Sequence, residues 1–150
     1  MTQYWSMKTF VEWWNIFRAD NVIGIDQEGV NADYRTLADA QIQQLLTNTT
    51  LADSYTEYKD RVFREFCKWM HVGDLVVIGT GPTTTFNLAG VARVTGDYYY
   101  NGLHDPKHLR AVEFLAIPAT PRPMQRFSRT SRLELIHETD FHEAICSLII

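Results

Sequence analysis

Two short motifs in this chain could carry phosphate or metal chemistry. Gly79-Thr80-Gly81 has the glycine spacing of a phosphate-binding loop, but no Gly-Lys-Ser/Thr follows it and no helical pattern begins after it. His104 and His108 have the spacing of helical metal ligands, but Asp105-Pro106 lies between them, so both are predicted to be turn residues. The residues alone therefore predict no catalytic site, no metal site and no cofactor, and nothing in them indicates an enzyme.

Aromatic residues are the unusual feature of the composition. Four Trp, seven Tyr and eight Phe make up 13% of the 150 residues, which is more than a small core requires. Most Trp residues lie in helical stripes and are predicted to be core residues, namely Trp13, Trp14 and Trp69. Trp5 lies outside any helical stripe, so it is the candidate for stacking on a flat ligand such as a nucleobase.

Charge is unevenly distributed along the chain. The net charge is −4, which argues against a protein whose main affinity is for the phosphate backbone. Residues 107–132 nevertheless carry six basic side chains against Glu113 alone, a local charge of +5. The basic residues of this stripe are Lys107, Arg110, Arg122, Arg126, Arg129 and Arg132. Such a stripe either solubilises a loop or contacts a polyanion.

Length and cysteine usage narrow the class of protein. A chain of 150 residues fits one domain. Cys67 and Cys146 lie in apolar, helix-patterned segments and have no CxxC partner, so both are predicted to be buried, reduced thiols of an intracellular, cytoplasmic protein. No run of about 18 apolar residues occurs, so no transmembrane helix is expected.

The elements that must position these residues follow from hydrophobic periodicity. Helical spacing predicts a helix from Lys8, a second one around Leu37–Leu46 and a longer one over Tyr55–Met70, and Asp140 caps a closing helix. Strand patterns are predicted at Gln3–Met7, Val22–Ile25, Leu75–Ile78, Leu88–Tyr100 with a bend at Gly96-Asp97, Arg110–Ile117 and Arg132–His137. This order predicts an α+β fold in which helices flank a curved, barrel-like mixed sheet.

Several segments, taken in order, resemble EVE-type domains, which belong to the PUA-like superfamily and are related to YTH domains. The resemblance covers roughly residues 4–145. It rests on the segments Trp14–Asp26, Val72–Val77, Gly90–Tyr100 and His108–Leu115, and on a late segment from Phe127 to Ile136. The most similar domains are the N-terminal domains of McrB-like, modification-dependent restriction systems.

The resemblance implies a PUA-like barrel that binds DNA carrying a modified, methylated base and flips that base into an aromatic pocket. The pocket positions implied are Trp5, Ser6, Asp26, Thr80 and Gly81. The basic residues assigned to phosphates are Lys107, Arg110, Arg122, Arg126 and Arg129. One departure affects the pocket wall, because the family commonly has Trp where this chain has Ile25.

This interpretation makes residues 1–150 a single EVE-like recognition domain, the N-terminal part of a larger protein. Its partners would be modified DNA and an effector domain or subunit of a restriction or defence complex. Two alternatives stay open at this point. One is a reader of modified RNA or of a free nucleotide on the same fold, and the other is a protein-interaction or oligomerisation domain.

Overall fold

One mixed β-sheet organises the computed structural model, which describes residues 2–26, 30–47, 61–82, 85–124 and 132–149. Within these residues the sheet has seven strands. They are β1 (Tyr4–Lys8), β2 (Val22–Ile25), β3 (Leu75–Thr80), β4 (Asn87–Tyr100), β5 (His108–Ala116), β6 (Arg122–Pro123) and β7 (Leu133–Leu135). The α+β class and the mixed sheet with flanking helices predicted from the sequence are confirmed.

The strands are ordered β2-β5-β4-β3-β1-β7, and β6 pairs with β4. β1 runs parallel to β3, and the other pairs are antiparallel. A parallel pair needs a long crossover, and the chain between β1 and β3 supplies it with helices. The register of β4 against β5 shifts between Val94 and Tyr98, where Gly96-Asp97 predicted a bend.

The two edges of the sheet approach each other at one end. Asp26 follows the edge strand β2, and Arg132 precedes the opposite edge strand β7. An Arg132 guanidinium nitrogen (Nη1) donates to the backbone carbonyl oxygen of Asp26 over 2.7 Å. The carbonyl of Arg132 in turn accepts from the backbone N–H of Lys8 at 2.9 Å. These hydrogen bonds link the two edges of the curved, barrel-like sheet.

Helices cover both faces of the sheet. They are α1 (Val11–Asp20), a 3₁₀ turn (Tyr34–Thr36), α2 (Asp39–Thr47), the described part of α3 (residues 61–69) and α4 (Thr139–Leu148). The last turn of α3, Glu65–Trp69, is π-helical. The rest of the predicted long helix, residues 55–60, lies outside the described residues. No helix in the described ranges is long and apolar enough to cross a membrane.

Two hydrophobic clusters pack on opposite faces of the sheet. The larger one includes Trp5, Met7, Ile23 and residues of α1 and α3. The smaller one packs Val77 and its neighbours against α4. Because side chains alternate along a strand, β1 contributes Trp5 and Met7 to the first cluster and Tyr4 to the second.

Candidate functional site

The carboxyl ends of β1, β2 and β3 meet at the end of the barrel that Arg132 closes. Lys8 pairs with Gly79 in the parallel register, and the backbone N–H of Thr9 donates to the Gly79 carbonyl at 3.0 Å. The Arg132 contact brings Asp26 to the same place. We call the region formed by Lys8, Thr9, Asp26, Thr80 and Gly81 the barrel mouth.

Two buried oxygen atoms at the barrel mouth have no hydrogen-bond partner among the described residues. They are Thr9 Oγ1 and Asp26 Oδ1. Buried polar atoms are nearly always paired, so an unpaired one needs an explanation. A hydroxyl can donate or accept, and a carboxylate oxygen accepts, which is a combination suited to the edge of a nucleobase.

Lys107 places a positive charge beside Asp26, and Lys8 adds a second cation at the end of β1. The Lys8 ammonium donates to the carbonyl of Pro82, and burial lowers the pKa of this lysine. The Lys107 ammonium lies 3.7 Å from Asp26 Oδ2 and also bonds Asp105, a hydrogen bond that raises the Lys107 pKa. The region therefore combines uncommitted acceptors with a cationic border.

Three of the five predicted pocket residues lie at the barrel mouth. Asp26 borders it, Thr80 is the last residue of β3, and Gly81 follows with a φ of +110°. A Cβ atom at Gly81 would lie 2.8 Å from Asn87 Nδ2, so both the backbone conformation and the space favour glycine. The sequence placed Thr80 in a loop, whereas it pairs with Asn87 inside the sheet.

The stacking role predicted for Trp5 is wrong in this structure. Its side chain is 1% exposed, and its indole N–H donates to Asp74 Oδ2 at 3.0 Å. Asp74 also accepts from the backbone N–H groups of Gln3 and His71, at 3.0 and 2.8 Å. Trp5 is thus a core residue that satisfies a buried carboxylate, and no face of its ring is open to a base.

Ser6 cannot share a pocket with Trp5, because adjacent side chains of a strand point to opposite faces. It is 1% exposed and lies in register with Val77 of β3 and Glu134 of β7. Its Oγ atom also has no hydrogen-bond partner among the described residues. Ser6 therefore belongs to the interior beside the second cluster and not to the barrel mouth.

An exposed ring next to the barrel mouth belongs to Phe10, which lies inside the helix that the sequence predicts from Lys8. Phe10 precedes α1 in an extended conformation, with φ −78° and ψ 154°, and its side chain is 65% exposed. Its ring packs edge-on against Trp13 with centroids 5.4 Å apart. The sequence did not identify it, because the helix begins after Phe10 and not before it.

The predicted phosphate residues occupy different environments. Arg122 is exposed in β6, which pairs with the start of β4, and Lys107 is held by acidic side chains. Arg110 is 3% exposed, so it does not belong to an exposed basic stripe. Arg126 and Arg129 lie outside the described residues.

His108 is buried in β5 and is not the turn residue that the sequence predicted. Its Nε2 lies 2.9 Å from the carbonyl of Val30, which can only accept, so Nε2 carries the proton. Its Nδ1 then accepts the Tyr98 hydroxyl at 2.6 Å. Burial is the main cause that lowers the pKa of His108, and the neutral ring fits this arrangement.

Comparisons with solved structures identify the fold. A hypothetical protein from Leishmania major has a TM-score of 0.55 at 13% identity, with 98% of this chain and 94% of that chain covered. The Mmi1 YTH domain in complex with RNA has a TM-score of 0.54 at 10% identity, covering 99% and 77%. The YTH domain of the Zygosaccharomyces rouxii MRB1 protein, in complex with N6-methyladenosine RNA, gives 0.51 at 11%, covering 99% and 86%.

At these identities the likeness establishes a YTH-like, PUA-type fold over nearly the whole chain. No curated protein matches this chain. Residues 8–136 match a family described as a domain of unknown function, DUF8426. Because the match spans most of the chain, this protein is a member of the DUF8426 family.

Proposed function

We propose that this chain is a recognition domain that binds a modified base of a nucleic acid at the barrel mouth. The observation that carries the proposal is the pair of buried, unpartnered oxygens Thr9 Oγ1 and Asp26 Oδ1, with the Lys107 ammonium 3.7 Å from the second carboxylate oxygen of Asp26. The fold supports it, because solved structures with this fold include YTH domains in complex with RNA.

The chemistry of the barrel mouth favours a base that has an exocyclic amine. Asp26 can accept a hydrogen bond from N4 of cytosine or N6 of adenine, whereas thymine and uracil present an oxygen at that position. N6-methyladenine and 5-methylcytosine both keep an N–H for this contact. Exposed Phe10 supplies a ring on which a base or its neighbour can stack, for about 1–3 kcal/mol.

The finer proposal is that the ligand is DNA with a methylated base, read for a modification-dependent restriction or defence system. It rests on the sequence resemblance to EVE-type domains of McrB-like proteins. On this proposal the domain has no catalytic activity of its own, acts in the cytoplasm and is part of a larger protein with an effector. Modified RNA is the second candidate, and the similar structures solved with RNA favour it.

The test compares matched oligonucleotides by fluorescence anisotropy at low salt. Duplex DNA and single-stranded RNA are each prepared unmodified, with N6-methyladenine and with 5-methylcytosine. Asp26→Asn should lower the affinity for the preferred modified strand about tenfold, since the charge-assisted hydrogen bond becomes a neutral one. Asp20→Asn, a matched change of an exposed acid at the end of α1, should bind like the wild type.

The type of strand that binds with the higher affinity decides between DNA and RNA. Equal binding of modified and unmodified strands would overturn base recognition. Failure of every strand to bind, together with a stable oligomer in light scattering, would identify a protein-interaction domain instead.

A further inference from the structure

A second concavity lies between α3, the 3₁₀ turn and strands β4 and β5, away from the barrel mouth. Its volume is about 530 Å³, a size typical of small-molecule sites. Residues that line it include Tyr34, Lys68, His71, Asp97, Tyr98 and Arg110. We call it the α3 cavity.

Arg110 places a buried positive charge at the wall of the α3 cavity. Its Nη1 donates to the carbonyls of Phe66 and Met70 at the π-helical end of α3, and its Nε donates to the carbonyl of Gly96. Its Nη2 forms no hydrogen bond with a described residue. The nearest carboxylate oxygen in this part of the structure, on Asp97, is 4.0 Å from Nη2, and the Asp97 side chain is 94% exposed.

A buried cation of this kind normally has a closely bonded anion. Moving a charge out of water is costly unless it is paired, and burial lowers the Arg110 pKa accordingly. The three carbonyls satisfy part of the guanidinium but carry only partial charges. An anionic ligand in the cavity would supply the missing full charge.

Lys68 provides a second positive charge on the same cavity. Its side chain is exposed and forms no salt bridge with the residues that the structure describes. Arg35 also lines the cavity, but its guanidinium is already bonded to Asp33 at 2.6 Å. Two cations, Arg110 and Lys68, are therefore without a hydrogen-bonded carboxylate.

We propose that the α3 cavity binds a phosphate monoester, with Arg110 Nη2 and Lys68 as its ligands. Two cations without a hydrogen-bonded carboxylate suit the charge of about −1.5 to −2 that a phosphate monoester carries at pH 7, and the exposed Asp97 carboxylate is the acidic group that lines the same cavity. A carboxylate or a phosphodiester has a single negative charge and would neutralise only one of them. The volume admits a nucleotide, and Tyr34 and Tyr98 line the cavity with the two cations.

Two sources could present this group: a free mononucleotide, or the 5′-terminal phosphate of a nucleic acid strand. The test uses isothermal titration calorimetry on the whole chain. The probes are inorganic phosphate, AMP, adenosine, and one oligonucleotide with either a 5′-phosphate or a 5′-hydroxyl. AMP and phosphate should bind and adenosine should not.

Lys68→Gln is the variant of choice, because Lys68 is exposed, whereas Arg110 also holds the end of α3 in place. It should weaken AMP binding about fivefold, which corresponds to one partly exposed ion pair. Arg93→Gln removes an exposed cation from β4 that does not line the cavity, and it should leave AMP affinity unchanged. The NMR signals of the Arg110 guanidinium should shift when AMP is added.

The oligonucleotide arm separates the two sources. A 5′-phosphorylated strand that binds more tightly than AMP and depends on Lys68 identifies the strand end, whereas AMP binding as tightly as the strand identifies the free nucleotide. Equal binding of AMP and adenosine, an equal loss in Arg93→Gln, or no binding of phosphate or AMP would overturn the proposal. Asp26→Asn should not alter AMP affinity, so failure here is distinguishable from failure at the barrel mouth.

Discussion

Trp5 and Asp74 form a buried pair that joins β1 to the turn before β3. The indole N–H of Trp5 is one of three donors to the Asp74 carboxylate, and both side chains are 1% exposed. A carboxylate inside a protein is tolerated because such donors replace water. The aromatic residue that looked most available in the sequence is thus held in the core by its polar atom.

Replacing Trp5 by Phe should therefore lower stability and leave ligand preference intact. The variant loses one donor to a buried carboxylate, and we expect the free energy of unfolding to fall by about 1–3 kcal/mol in urea titrations. Trp69→Phe is the matched control. Trp69 was predicted to be a core residue but is 47% exposed, so this change should alter stability by less than about 0.5 kcal/mol. A Trp5→Phe variant of normal stability that no longer prefers a modified base would instead restore the stacking role.

His108 makes the stability of the fold depend on pH. Its pKa in the folded state lies below the ordinary value of 6.5, chiefly because the ring is buried. The unfolded chain therefore binds a proton more readily, so stability is unaffected well above pH 6.5 and falls as pH drops below it. Protonation would also remove the acceptor that Tyr98 uses.

The measurement is the free energy of unfolding between pH 7.5 and 5. His108→Gln should flatten this dependence, whereas His137→Gln, at an exposed position, should preserve it. Identical slopes in all three proteins would show that His108 makes no contribution.

At the scale of elements, β4 passes unusually close to α1. A Cβ atom built on Gly90 would lie 2.7 Å from Cη2 of Trp14, which no ordinary contact allows. Gly90→Ala should therefore destabilise the protein by about 1–3 kcal/mol through overpacking, measured by urea unfolding. In a double-mutant cycle, Trp14→Phe should recover part of that loss, because the shorter ring does not reach Gly90. Strictly additive effects would contradict a direct clash.

Most elements of this fold could be predicted from the sequence, because each one has its own periodicity. The strand at Val22–Ile25 and the irregularity at Gly96 are examples, and both lie where the pattern placed them. The pairing order and the curvature depend on contacts between distant residues such as Asp26 and Arg132, which no local pattern contains.

The candidate site was predicted less well, for the same reason. Asp26, Thr80 and Gly81 were predicted from a family resemblance and lie close together, but the alternation of side chains along β1 separates Ser6 from Trp5. Arg110 looked like part of a basic stripe, and only the structure reveals that its partners are carbonyls of α3. The exposure of Phe10 depends on where α1 begins, and helix boundaries are the least certain feature of a sequence pattern.

For the whole molecule, charge distribution sets how nucleic acid would be bound. The net charge is −4, so attraction must come from local cations such as Lys8, Lys107 and Arg122. With few phosphate contacts, the affinity for single strands should fall with a log–log salt slope of about −2. Arg122→Gln should reduce the size of that slope by about 0.7, measured by anisotropy across a salt series.

Arg18→Gln is the control for this experiment, since Arg18 lies in the last turn of α1, where its guanidinium stacks near Trp14. It should leave the slope unchanged. If both substitutions changed the salt slope equally, the strand would be attracted by the overall charge of the protein and would not contact Arg122 specifically.

The single residue Asp26 performs two tasks with two different groups. Its backbone carbonyl oxygen accepts a hydrogen bond from Arg132, which links one edge of the sheet to the other, while its carboxylate has a buried oxygen without a partner among the described residues. Loss of the hydrogen bond between Arg132 and the Asp26 backbone would therefore also displace the Asp26 carboxylate. If a base binds at the barrel mouth as proposed, recognition of the base and closure of the sheet would depend on the same residue.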